Sequence, residues 1–95
     1  MDRHFERVES IELNGTGMVC QVAVSLADLV RLFGKPSDGY EGDGFEGTEF
    51  YFRETVTGHE FNVYSRDGKF RIGTRVAGID DAPALAAYLV KAAQS

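Results

Sequence analysis

At 95 residues the chain has room for one hydrophobic core and not for two. Apolar residues make up 43% of it, with seven Phe and four Tyr, so a folded domain spanning 1–95 is expected and a disordered chain is excluded. The net charge of -5 opposes the phosphate neutralisation on which direct nucleic-acid binding rests, and a lone Cys20 rules out an intrachain disulfide.

In chain order, Phe5 to Leu13 alternates imperfectly, Asn14-Gly15-Thr16-Gly17 reads as a turn, and Met18 to Val24 is rich in apolar residues, which together predict a two-stranded hairpin. Ser25 is placed as an N-cap with Asp28 three positions on, a variant of the capping box. Leu26, Leu29, Val30 and Phe33 then recur at helical spacing. Gly34 ends that helix and Pro36 prevents its resumption. Residues from Ser37 to Gly47 are Gly-rich, acidic and without period, hence a loop.

Three short strands follow, at about Thr48 to Thr55, Glu60 to Arg66 and Lys69 to Val76, connected at Thr57-Gly58 and at Asp67-Gly68. Asp80-Asp81 with Pro83 opens a last helix whose Leu85, Tyr88, Leu89 and Ala92 share a face. The predicted order is ββαβββα. It is an α+β fold in which an antiparallel sheet of about five strands carries two helices on one face.

A two-residue turn at Asp67-Gly68 fixes the register of the last hairpin, with Phe61 opposite Thr74, Val63 opposite Ile72, Tyr64 opposite Arg71 and Glu60 opposite Arg75. Phe61, Val63, Phe70 and Ile72, with Phe50 and Phe52, then form the face beneath the helices. Tyr51, Arg53, Asn62, Tyr64, Arg71 and Arg75 form the other. That second face is either a solvated sheet surface or a recognition surface for a nucleotide or other small ligand, because Tyr and Arg can stack on or pair with one.

Between Asp38 and Glu60 seven acids face a single base, Arg53, and this run holds more negative charge than the whole chain. Asp38, Tyr40, Glu41, Asp43, Phe45, Glu46 and Glu49 are the candidate partner-binding residues. The carboxylates would steer the chain to a basic protein surface, such as that of a nucleic-acid-binding effector, and the aromatics would anchor it. The competing reading is a solubilising loop.

Catalytic and metal motifs are not found. The Gly-rich stretch lacks the Gly-Lys-Ser/Thr ending of a phosphate loop, and neither Asp38 nor Asp43 starts a calcium loop of EF-hand spacing. No second Cys completes a zinc knuckle with His4 or His59. His59 reads as an exposed turn residue and Cys20 as a small buried strand residue. The expectation is a protein that is not an enzyme and has no cofactor or metal. The charged first residues are unlike a signal peptide and the apolar runs are too short to span a bilayer, so a cytoplasmic location away from membranes is expected. A sheet this small leaves open a homodimer formed through a strand edge.

The helix end Phe33-Gly34-Lys35-Pro36, the run Val63-Tyr64-Ser65-Arg66 and the run Phe70-Arg71-Ile72-Gly73 resemble a pattern in small phage-encoded proteins. There a helix closing in Phe-Gly-x-Pro precedes strands with a Val/Ile-Tyr-Asp-aromatic-Lys run and a Trp-x-Ile-Gly-Gly run. Ser65 stands in place of the Asp, Phe70 of the Trp and Thr74 of the second Gly. The resemblance covers roughly the last two-thirds of the chain and implies fold and source, with no functional residues. By analogy it points to inhibitors of host defence, anti-CRISPR proteins included, which block nucleic-acid sites on effector complexes.

Overall fold

A computed structural model describes residues 4–11, 15–36, 48–66 and 69–94. It is an α+β fold: strands β1 (Phe5–Val8) and β2 (Gly17–Val22), helix α1 (Leu26–Phe33), strands β3 (Glu49–Glu54), β4 (Glu60–Arg66) and β5 (Lys69–Thr74), a short 3₁₀ helix (Val76–Asp81), and helix α2 (Ala82–Ala93). All strand pairs are antiparallel and the sheet order is β1-β3-β4-β5-β2.

The register of β4 on β5 is the expected one, from Phe61 opposite Thr74 through Tyr64 opposite Arg71 to Arg66 opposite Lys69. Phe50, Phe52, Phe61, Val63, Phe70 and Ile72 accordingly share one face and are fully buried against Leu29 of α1 and Leu85 and Leu89 of α2. Phe33 meets Phe52 edge-on at 5.0 Å between ring centroids, so even the half-buried end of α1 packs on the sheet.

The expected hairpin of β1 and β2 does not form. The two strands lie at opposite edges of the sheet, β1 on β3 and β2 on β5. The physical reason is burial: on β3, Phe5 sits between Phe61, 5.9 Å away, and Tyr88 of α2, 5.6 Å away. Both edges are blunted against further pairing. β1 has only four residues, and β2 has a register shift between Met18 and Cys20 of the kind that twists an edge out of line.

Ser25 caps α1 as expected, its hydroxyl accepting the Asp28 N–H at 3.0 Å. At the other end Gly34 takes φ 84°, and its N–H donates to the Val30 carbonyl at 2.8 Å. There the Arg7 guanidinium donates to the carbonyls of Phe33 and Lys35 while lying 5.2 Å from the centre of the Phe50 ring. Charge-assisted bonds thus satisfy carbonyls that the helix end leaves open. No helix among the described residues is long and apolar enough to cross a membrane.

Candidate functional site

The sequence placed function on two surfaces, and the fold treats them differently. Asp38, Tyr40, Glu41, Asp43, Phe45 and Glu46 lie outside the described residues. Of that group Glu49 is described: it opens β3 opposite Tyr64 and accepts from Asn62 Nδ2 at 3.5 Å. Glu49 therefore stands at the end of the sheet where β4 turns into β5.

Further along the same run the carboxylates are engaged within the fold. Glu54 is almost completely buried and accepts from the Val56 and Thr57 N–H groups at 2.7 and 3.1 Å and from the Thr57 hydroxyl at 2.7 Å, which ties the β3–β4 turn together. Glu60 accepts from Arg53 Nη2 at 3.1 Å, and Arg53 also reaches Glu6 at 3.7 Å. Arg53 is thus the ion-pair partner of Glu60 across β3 and β4.

The face opposite the helices is not an open platform. Tyr51 is 5% exposed and Asn62 8%, while Tyr64 and Arg71 are half-buried and in register. Arg75 has left the strand, is exposed, and leads into the 3₁₀ helix. The sequence reading grouped Tyr51, Arg53, Asn62, Tyr64, Arg71 and Arg75 on this face. Two of the six are buried, one is ion-paired on both sides, and one stands at the sheet's end. Asn62 faces Gly73, and a Cβ there would lie 2.5 Å from Asn62 Oδ1, so a larger residue forces that side chain or the strands to shift.

The structure also builds a site that the sequence reading missed. His59, expected in an exposed turn, is half-buried and places Nδ1 2.7 Å from Oδ2 of Asp81, whose side chain is 7% exposed. An ionised carboxylate only accepts, so Nδ1 carries the proton of this bond and the ring is held in one orientation. Asp81 is the N-cap of α2, yet its side chain makes no capping bond there; it turns to His59 instead. The pair fastens the β3–β4 turn to the junction of the 3₁₀ helix and α2.

Beside His59 lies a cleft of about 200 Å³ lined by Gly58, Glu60, Thr74, Arg75 and Gly78 among others. Its floor is tight. Thr74 donates its hydroxyl to the Glu60 carbonyl at 2.7 Å, and a Cβ on Gly78 would lie 2.3 Å from that same hydroxyl oxygen. The clue in the sequence was the second acid before Pro83, one residue more than a helix start needs.

A larger hollow of about 480 Å³ lies where β2 leads into α1, lined by Gln21, Val22, Val24, Ser25, Asp28 and Lys69. Ser25 and Asp28 are already engaged there in the helix cap and with Arg31, 3.4 Å from Asp28. Cys20 is half-buried on β2, and burial pushes its thiol pKa up, so it is a poor nucleophile. Among the described residues no three His, Cys, Asp or Glu side chains are grouped to hold a metal ion. Compared with known proteins, the chain matches no family model, no curated protein and no solved structure.

Proposed function

We propose that the chain is a small non-enzymatic binding module whose acidic segment engages a basic protein surface. One observation supports this reading above others. Glu49, Glu54 and Glu60 are each held by hydrogen bonds within the fold, Glu60 by a cation, which leaves Asp38, Glu41, Asp43 and Glu46 as the acids on which this reading rests. From Asp38 to Glu46 there is no Lys or Arg, and Tyr40 and Phe45 are interleaved with the acids. Carboxylates in such a run accelerate encounter with a basic patch, and the aromatics supply the contact area that holds it.

The resemblance to small phage-encoded proteins suggests the class of partner, the nucleic-acid-binding surface of a host defence complex. An inhibitor of that kind competes with nucleic acid through its own negative charge. The nucleotide-binding alternative is the weaker, because Tyr51 and Asn62 are buried and Arg53 is paired.

The test is the triple variant Glu41→Gln, Asp43→Asn, Glu46→Gln. Its retention by proteins captured from a bacterial lysate, and its association rate with the captured partner at low and high salt, are compared with the parent. The expected result is an association rate about tenfold slower and a flatter salt dependence, with an unchanged circular dichroism spectrum. Equal rates and equal salt dependence would refute the reading.

A further inference from the structure

We propose that β1 is an exchangeable strand: its place on the sheet is a slot that the β1 of a second copy of this chain fills in the same way, giving a strand-exchanged dimer. The walls of the slot are built without β1. One is the outer edge of β3, whose other edge is paired with β4. The second is aromatic, with Phe61 of β4 and Tyr88 of α2 at 5.9 and 5.6 Å from the Phe5 ring. The third is the end of α1, where the Phe33 and Lys35 carbonyls receive the Arg7 guanidinium, and that end is itself fixed by the contact of Phe33 with Phe52.

The described bonds of β1 run to this body. Phe5 pairs with Glu54 and Val8 with Tyr51, the Thr55 N–H donates to the His4 carbonyl at 2.9 Å, and Glu6 reaches Arg53 at 3.7 Å. β2, the next strand in sequence, pairs instead with β5 at the far edge. A β1 supplied by a second copy therefore remakes these contacts one for one, and what differs is the path of the chain between Val8 and Gly17. Exchange of an identical element is for that reason a low-cost route to a dimer, and the pair is isologous, each copy giving its β1 and receiving the other's. Addition of edge to edge is disfavoured by the four-residue length of β1 and the register shift in β2, which leaves exchange as the way for two copies to share strands. Against it works the tether, which presents each chain's own β1 at an effective concentration in the millimolar range, so the exchanged form belongs to concentrated protein. The acidic segment takes no part, and its proposed role stands or falls separately.

Two variants of the full chain test this, both with Cys20→Ser to remove the native thiol. One carries Glu6→Cys and the other Arg53→Cys, positions that face each other across β1 and β3. Residues directly opposite lie within disulfide range, so a bond between the two chains reports a strand given by one and received by the other. The mixture is unfolded in urea, refolded at millimolar concentration and equilibrated in glutathione buffer, and the mixed disulfide is read by mass spectrometry. Its yield is expected to be about tenfold that of a mixture in which Lys69→Cys, exposed on β5, replaces Arg53→Cys, because at this concentration insertion into a second copy competes with the tether. Adding Phe5→Ala to the Glu6→Cys chain is expected to bring the yield down to that of the Lys69 control. A yield no higher than the control's overturns the proposal, and so does a high yield that Phe5→Ala leaves unchanged. Should Phe5→Ala alter the circular dichroism spectrum, Phe5→Leu takes its place, with a reduced yield again expected and an unchanged one counting against the proposal.

Discussion

At Gly73 a single hydrogen atom decides the packing. The residue faces Asn62 across β4 and β5, and any Cβ would come within 2.5 Å of Asn62 Oδ1 and 3.2 Å of the Gly17 carbonyl. Overpacking of this kind costs about 1–3 kcal/mol. Gly73→Ala is therefore expected to lower the midpoint of urea unfolding by that margin. Asn62→Ala added to it should restore part of the loss, since the closest contact is then gone and a buried acceptor is removed with it. Equal midpoints for parent and Gly73→Ala would show that the strands yield at no cost. An aromatic-x-Ile-Gly run flags this position in the sequence. Its reason, an asparagine on the neighbouring strand, becomes visible only once the register is known.

Among elements, those set by neighbours in sequence were legible and those set by distant partners were not. The β4–β5 hairpin could be read residue by residue because its connection is two residues long, and α1 because Ser25, Asp28 and Gly34 mark both its ends. The pairing of β1 and β2 could not, because an Asn-Gly pair between two strands signals a hairpin whether or not a better apolar partner waits further along the chain. Phe5 found that partner between Phe61 and Tyr88. His59 was misread for the same reason, since Asp81 lies 22 residues away.

Two predictions belong to α1. Arg7 joins the β1 edge to the helix's last carbonyls and covers Phe50, so Arg7→Ala should destabilise the fold by about 1–3 kcal/mol, read by thermal or urea unfolding. A conserved midpoint would mean that water replaces the guanidinium without loss. At the opposite end the Ser25 side chain, and after it Arg31, hold the Asp28 carboxyl below the usual aspartate range. A folded value below the unfolded one means that this contribution is complete above the ordinary range and disappears as pH falls through the folded value. A carbon-13 titration of Asp28 should therefore find a depressed midpoint, which Ser25→Ala raises; an unchanged midpoint in that variant would remove the hydroxyl as the cause.

Taken whole, the molecule has two unlike ends. Glu49 stands at one, beside the β4–β5 connection. The other holds the β3–β4 turn, the cleft beside His59 and the 3₁₀ helix, and there the large exposed apolar side chains Met18, Val56, Val76 and Ile79 are found among the described residues. The core between them was legible from alternation alone. All six residues assigned to the helix side of the sheet are buried there, because a strand's two-residue period leaves no second choice once one hairpin is in register.

Sending β1 and β2 to opposite edges makes the stretch from Val8 to Gly17 a tether of limited reach. Four strand spacings separate the edges, about 19 Å before any detour, and the nine residue-to-residue steps from Val8 to Gly17 cover about 30 Å when extended. Lengthening this stretch by a few glycines is expected to leave thermal stability nearly unchanged, because loop entropy grows slowly with length. Deleting four residues leaves too little chain to go round the sheet, and one edge strand must then detach. Hydrogen exchange would identify the strand released, and a deletion variant with both edges protected would show that the path is shorter than the strand order implies.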